Sequence, residues 1–191
     1  MIKPLFLFVG KSSSGKTTIA DILENQYGLN QMQSYTTRPP RHENEIGHTF
    51  ISDEEFDDLE NLVAYTNYNG FRYGATAEQV DDVSIYVIDV PGVETLLERY
   101  QTDRPIVVIY FDSSICTRIV RMIGRDDSDT AIVSRLYNDE KSDWEKELNK
   151  LVWHYKNNLS KNVTMYTIDA NENIEHVLGK IAHLISNEME N

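Results

Sequence analysis

Apolar residues in this chain fall into two kinds of run. Leu5 to Val9 is apolar at every position, which suits a strand buried on both faces of a parallel sheet. Gly10 ends it, and Ile19, Ile22 and Leu23 follow at helical spacing. The alternation then recurs. Strand-length runs lie at Ile85 to Val90, Ile106 to Phe111 and Val163 to Ile168, and helical patterns follow at Val93 to Tyr100, Ser114 to Ile123 and Ile174 to Ile185. Strands alternating with helices predict an α/β fold, three layers deep, with a mostly parallel central sheet.

Between about residues 33 and 80 that rhythm breaks. Pro39-Pro40, Gly47, Gly70 and Gly74 punctuate short Tyr-, Phe- and Thr-rich runs. Ser52-Asp53-Glu54-Glu55 has the form of a capping box opening a short helix toward Leu59. The segment reads as a small mixed insertion over the carboxyl edge of the sheet, where open α/β sheets bind ligands. Residues 129–157 read as one long amphipathic helical stretch, with Trp144, Leu148, Leu151 and Tyr155 on a stripe that suits core packing. No repeat, low-complexity tract or linker divides the chain, so one domain over 1–191 is expected.

Charge narrows the partners. The 191 residues carry 18 basic and 31 acidic side chains, a net −13, which argues against a nucleic-acid partner and against an anionic membrane surface. A local basic site for phosphate stays compatible with that balance. The longest apolar run near the start is far shorter than the roughly 18 residues of a membrane span, and it lacks the pattern of a secretory leader. The single cysteine, Cys116, excludes an internal disulfide and reads as a small, semi-buried packing residue. The expected location is cytoplasmic, as monomer or homodimer.

The sharpest motif is Gly10-Lys11-Ser12-Ser13-Ser14-Gly15-Lys16-Thr17, which fits G-x-x-x-x-G-K-[ST] and sits between an apolar strand and a helix. Glycines let the backbone wrap so that successive N–H groups, continuing to Thr18, cradle phosphate oxygens. The helix N-terminus adds its dipole. In such a loop Lys16 bridges the β- and γ-phosphates of ATP, and Thr17 offers its hydroxyl to Mg²⁺. Downstream, Ser34-Tyr35-Thr36-Thr37-Arg38-Pro39-Pro40-Arg41 sets two guanidinium forks three residues apart on a Pro-stiffened loop, a donor set suited to a second phosphate.

Taken together these segments resemble guanylate kinase. The carriers are the phosphate loop, Thr36-Thr37-Arg38-Pro39-Pro40-Arg41, Gly47-His48-Thr49-Phe50, Asn69-Gly70-Phe71-Arg72-Tyr73-Gly74 and the acidic Ile88-Asp89-Val90-Pro91-Gly92, in order over roughly residues 3 to 140. The resemblance implies a P-loop kinase fold with a core at about 1–33, 82–123 and 158–191. It places an acceptor-binding insertion at about 34–81, and a helical lid with following helices at about 124–157. It also implies that Ser34, Arg38, Arg41 and Tyr73 hold an acceptor monophosphate, and that Asp89 serves the base or a metal-bound water. Arg121, Arg125 and Arg135 resemble the lid arginines that close over ATP. The implied reaction is Mg-ATP-dependent phosphoryl transfer, nominally GMP + ATP to GDP + ADP.

Four positions depart from the family pattern. Ala64 stands where a guanine-reading Glu is usual, Ala75 where a base-contacting Ser is usual, and Phe50 where a Tyr hydroxyl is usual. The D-x-D-x-Q-G strand end is reduced to Asp89. Guanine then needs another carboxylate, Asp89 or Glu78, or the acceptor is another nucleoside monophosphate or ribose 1,5-bisphosphate. A catalytically inactive binding module and a P-loop hydrolase are the other classes, and the complete loop argues against the first. Arg118 is a further candidate for phosphate, and Arg72 is either an acceptor contact or a solvated strand residue. His42 and His48 lie in the acceptor segment and read as exposed, and Asp126 to Asp129 reads as a lid tip.

Overall fold

The computed structural model describes residues 3–40, 43 and 45–190. Four parallel strands form the central sheet in the order β6 (Ile85–Val87), β1 (Leu5–Val9), β7 (Ile106–Asp112) and β8 (Val163–Asp169). Alternate side chains leave opposite faces, so the unbroken apolar runs feed two cores. Leu5, Leu7, Val9, Val108 and Tyr110 pack beneath α4 (Val90–Arg99) and α7 (Trp144–Asn158). Phe6, Phe8, Val107, Ile109 and Phe111 pack beneath α1 (Lys16–Tyr27) and α8 (Ile174–Glu190). Each such side chain removed from water contributes roughly 1.5–3 kcal/mol, and the two cores make the strand ends a fixed platform. This is the expected three-layer α/β architecture.

A second, mixed sheet occupies the region where the strand–helix rhythm breaks. Its order is β3 (His48–Phe50), β2 (Ser34–Thr36), β5 (Phe71–Thr76) and β4 (Leu62–Tyr68), with β2 and β3 parallel and the other pairs antiparallel. Asn69 and Gly70 make the β4–β5 turn, both at positive φ (53° and 81°), the conformation that favours Asn-Gly in a tight hairpin. The capping box of Ser52 and Glu55 forms as read and opens α2 (Asp53–Asp57). The same device at Thr76 and Gln79 opens α3 (Ala77–Asp81).

Three readings change. The run Ile85 to Val90 is strand only to Val87, because the Asp89 carboxylate accepts the Gly92 N–H at 2.9 Å and starts α4 at Val90. Residues 129–157 form two helices, α6 (Asp129–Asp139) and α7, with Asp143 accepting the Lys146 N–H as the cap of the second. Cys116 is exposed on α5 (Ile115–Ile123), whose buried side chains are Arg118 and Met122. Among the described residues no helix is long and apolar enough to cross a membrane.

Candidate functional site

The phosphate loop links the carboxyl end of β1 to the N-terminus of α1. A Cβ on Gly10 would sit 2.8 Å from the Phe111 carbonyl oxygen and 2.9 Å from Ser14 Oγ, so only glycine lets the loop lie this close to β7. No side chain caps α1, which leaves the N–H groups of its first turn, Lys16, Thr17 and Thr18 among them, for an anion. The Lys16 ammonium folds back on the loop, donating to the carbonyls of Gly10 (2.5 Å) and Lys11 (3.0 Å) and to Ser14 Oγ (3.2 Å). Burial lowers its pKa from 10.5 to about 8, with Asp139 the leading opposite charge that pulls it back up.

Two clefts share this loop as a wall. One, of about 520 Å³, is bounded by Ser13, Ser14, Gly15 and Thr18, by Arg121 and Arg125, and by the β8–α8 connection at Ala170, Glu172 and Asn173. Arg121 spans it, donating to the carbonyls of Ser14 (3.1 Å) and Ala170 (2.7 Å). Arg125 reaches Ser13 Oγ at 2.6 Å and Asp127 at 2.9 Å, and Arg135 lies 3.9 Å from Asp127. Arg121 and Arg125 thus line this cleft, whereas Arg135 does not and its charge acts on Tyr68 of the other cleft; Asp126 to Asp129 carry the turn into α6, Ser128 capping it. The β8–α8 connection was not read as part of a site; it carries no motif.

The other cleft, of about 210 Å³, begins at Gly10, Ser12 and Lys16 and runs under the mixed sheet. Ser34, Tyr73 and Asp89 line it, together with His48, Thr66, Tyr65, Tyr68, Tyr86, Asp139 and Trp144. Burial pushes the Asp89 carboxyl above the usual carboxylate range, while the Gly92 N–H, Thr66 and the Lys16 charge pull it down. Arg38 is buried, does not itself line the cleft but interacts with Tyr73 of its wall, and holds Glu45 in a two-pronged pair at 2.8 and 3.1 Å. Arg41 and His42 lie outside the described residues.

Several expectations are corrected by this geometry. His48 is half-buried and faces the cleft, its Nδ1 3.0 Å from Ser34 Oγ. Glu78 is exposed, accepts from Asn61 and lies outside the cleft, leaving Asp89 as the nearer candidate for a base. Ala64 and Ala75 face each other across β4 and β5 with no exposed surface and belong to the apolar core. Arg72 stacks on Phe56 at 4.2 Å and pairs with Asp57 at 2.7 Å, away from the cleft. Arg118, 1% exposed, contacts Asp139 at 2.9 Å and also binds Glu140. Asp139 in turn accepts the Ser12 N–H at 2.8 Å, and Lys11 pairs with Glu140 at 2.8 Å. This ion-paired junction ties α5 and α6 to the phosphate loop; an acidic pair at a helix end gives no sequence signal for it.

No family model matches the chain. It is 30% identical to a guanylate kinase of Neisseria meningitidis serogroup A over 143 residues, 69% of each chain. It is 25% identical to a guanylate kinase of Neisseria gonorrhoeae over 194 residues, covering 95% of this chain and 86% of that one. An adenylate kinase of Oenococcus oeni is 30% identical over 195 residues, 95% of this chain and 97% of its own.

Proposed function

The chain belongs to the guanylate kinase family and is a nucleoside monophosphate kinase, and from that premise we propose that it transfers the γ-phosphoryl group of Mg-ATP, nominally to GMP. The observation that carries this reading is the shared wall: one phosphate loop borders both clefts, the acceptor cleft through Gly10, Ser12 and Lys16 and the donor cleft through Ser13, Ser14, Gly15 and Thr18. ATP lies in the cleft of Arg121 and Arg125, its phosphates on the first turn of α1. The acceptor monophosphate lies against Ser34, Tyr73, Arg38 and Arg41, Glu45 giving way to it. Thr17, exposed at the start of α1, and the half-buried Asp89 carboxylate are oxygen donors fit for a hard cation, Asp89 directly or through water. A Mg²⁺ held by them would supply positive charge beside the transferring phosphate. Lys16, Arg38, Arg121, Arg125 and Arg135 bring two anions together and stabilise the charge that spreads over the transferred group. The core, acceptor-binding insertion and lid are the parts that close around the two substrates.

A second acceptor is favoured by one specific observation. Guanine presents adjacent N–H donors, and Ala64 and Ala75 offer them nothing; each unpaired donor costs about 1–3 kcal/mol. The likeness to an adenylate kinase points the same way. An assay of ADP release with Mg-ATP against GMP, dGMP, AMP, CMP, UMP, dTMP and ribose 1,5-bisphosphate decides. A clear preference for GMP supports the nominal reaction, with Asp89 as the base-reading group. A preference for another acceptor keeps the phosphate chemistry and replaces GMP. No turnover and no ATP binding would sink the kinase reading in favour of a binding module.

A further inference from the structure

Tyr68 ends strand β4 opposite Phe71, just before the Asn69-Gly70 turn. Residues two apart on a strand share a face, so it points the same way as Thr66, and both line the acceptor cleft. Its hydroxyl is buried, and among the described residues nothing meets it in hydrogen-bond geometry. The Ser12 side chain stands beside it, but the Ser12 hydroxyl hydrogen is given to Asp139 at 3.2 Å. A buried hydroxyl in that state destabilises the empty protein, and a ligand oxygen in the cleft is what completes it. Its charged and titratable neighbours come from several parts of the site: Asp139 from the end of α6, Arg135 from the lid and Tyr73 from the acceptor set.

We propose that Tyr68 is a catalytic residue whose hydroxyl donates a hydrogen bond to the phosphoryl group passing from ATP to the acceptor. The inference rests on the kinase reading above and goes beyond it by placing a donor where loop, lid and acceptor set converge. Transfer runs from the phosphate loop into the acceptor cleft, past Ser12 and Lys16, and the Tyr68 hydroxyl flanks that passage. Lys16 and the arginines supply charge there; Tyr68 supplies a directed donor with no charge of its own to desolvate. Burial, and after it the Asp139 charge, push the Tyr68 pKa above its ordinary value, so the hydroxyl keeps its proton at neutral pH. Donation to an anion makes a charge-assisted bond. A donor already fixed in the cleft needs no reorganisation as charge spreads over the phosphoryl oxygens.

The test is Tyr68→Phe in the full chain, which deletes one oxygen and keeps the ring. Turnover is followed by ADP release with Mg-ATP and the acceptor of the panel above that the wild type uses best, and stability by urea unfolding without substrates. kcat is expected to fall about thirtyfold, with KM for ATP and for the acceptor within about threefold of the wild type. The urea midpoint should stay level or rise, because the variant removes a hydroxyl that the empty protein leaves unpaired. An unchanged kcat, with or without a raised KM, would overturn the inference and leave the kinase reading standing. So would a fall in kcat accompanied by a lower urea midpoint, since the hydroxyl would then be holding the fold. No turnover by the wild type with any acceptor of the panel would bring down the transfer reading and this inference together.

Discussion

On the donor side of the phosphate loop the polar groups facing the cleft include main chain, in the first turn of α1 and the Ser13, Ser14 and Ala170 carbonyls, beside the Arg121 and Arg125 side chains. On the acceptor side they are side chains from β2, β3, β4, β5, the N-cap of α4 and the end of α6. A main-chain site tolerates most substitutions, because N–H groups come with every residue except proline and only a close approach such as Gly10 restricts identity. A side-chain site changes whenever one of its residues changes. The loop thus offers its backbone to one cleft and the Lys16 side chain to the other, while Ala64 and Ala75 lie in the apolar core away from both.

The largest test of that division is Lys16→Ala. Lys16 stands in both halves, with its ammonium at the mouth of the acceptor cleft and its backbone in the first turn of α1. Its loss is expected to lower kcat/KM by on the order of 10³-fold or more, measured by ADP release. Turnover within tenfold of the wild type would break the claim that transfer is organised around this loop.

A smaller effect sharpens the boundary between the halves at Arg118 and Asp139, both about 1% exposed. Arg118→Leu leaves the Asp139 carboxylate buried without its partner and should cost about 3–5 kcal/mol of folding stability, read by urea unfolding. Adding Asp139→Ala removes the orphaned charge, so the double variant should recover at least half of that loss. An additive double variant would mean that the two side chains stabilise the junction separately.

The central strands were legible because both their faces are buried, which makes a run of four to eight apolar residues hard to mistake. The limits of β1, β7 and β8 follow the runs within a residue or two, and the phosphate loop stood out in the same way. Legibility failed where tertiary contacts set the outcome. The stretch 129–157 keeps a helical pattern throughout and has no Gly or Pro to break it. The break falls after Asp139 and Glu140, which are drawn to Ser12, Arg118 and Lys11, distant in sequence. Asp89 looked like the end of a strand because its apolar neighbours Ile88 and Val90 suit either element, and only its side-chain bond to Gly92 decides for the helix cap. His48 depends on the register of β2 with β3, which hydropathy does not specify in strands three residues long. Arg38, by contrast, stands out by type and spacing alone, and the structure buries it against Glu45.

The smallest expected effect is a pH limb at Lys16. Lys16 works as a cation on the phosphates and, without ligand, titrates at about 8. Below that value it is mostly charged; above it the charged fraction falls, approaching tenfold per pH unit. So kcat/KM for ATP, which reports the free enzyme, should be flat below about pH 7 and fall about fivefold between pH 8 and 9. Asp139 is the leading charge that holds this value up, so Asp139→Asn should move the limb to lower pH, while Arg118→Lys, which keeps the charge, should leave it nearly in place. A limb moved by Asp139→Asn and left in place by Arg118→Lys would establish that the charge at the end of α6 tunes Lys16. A limb moved equally by both substitutions would mean that Lys16 responds to the ion-paired junction as a whole.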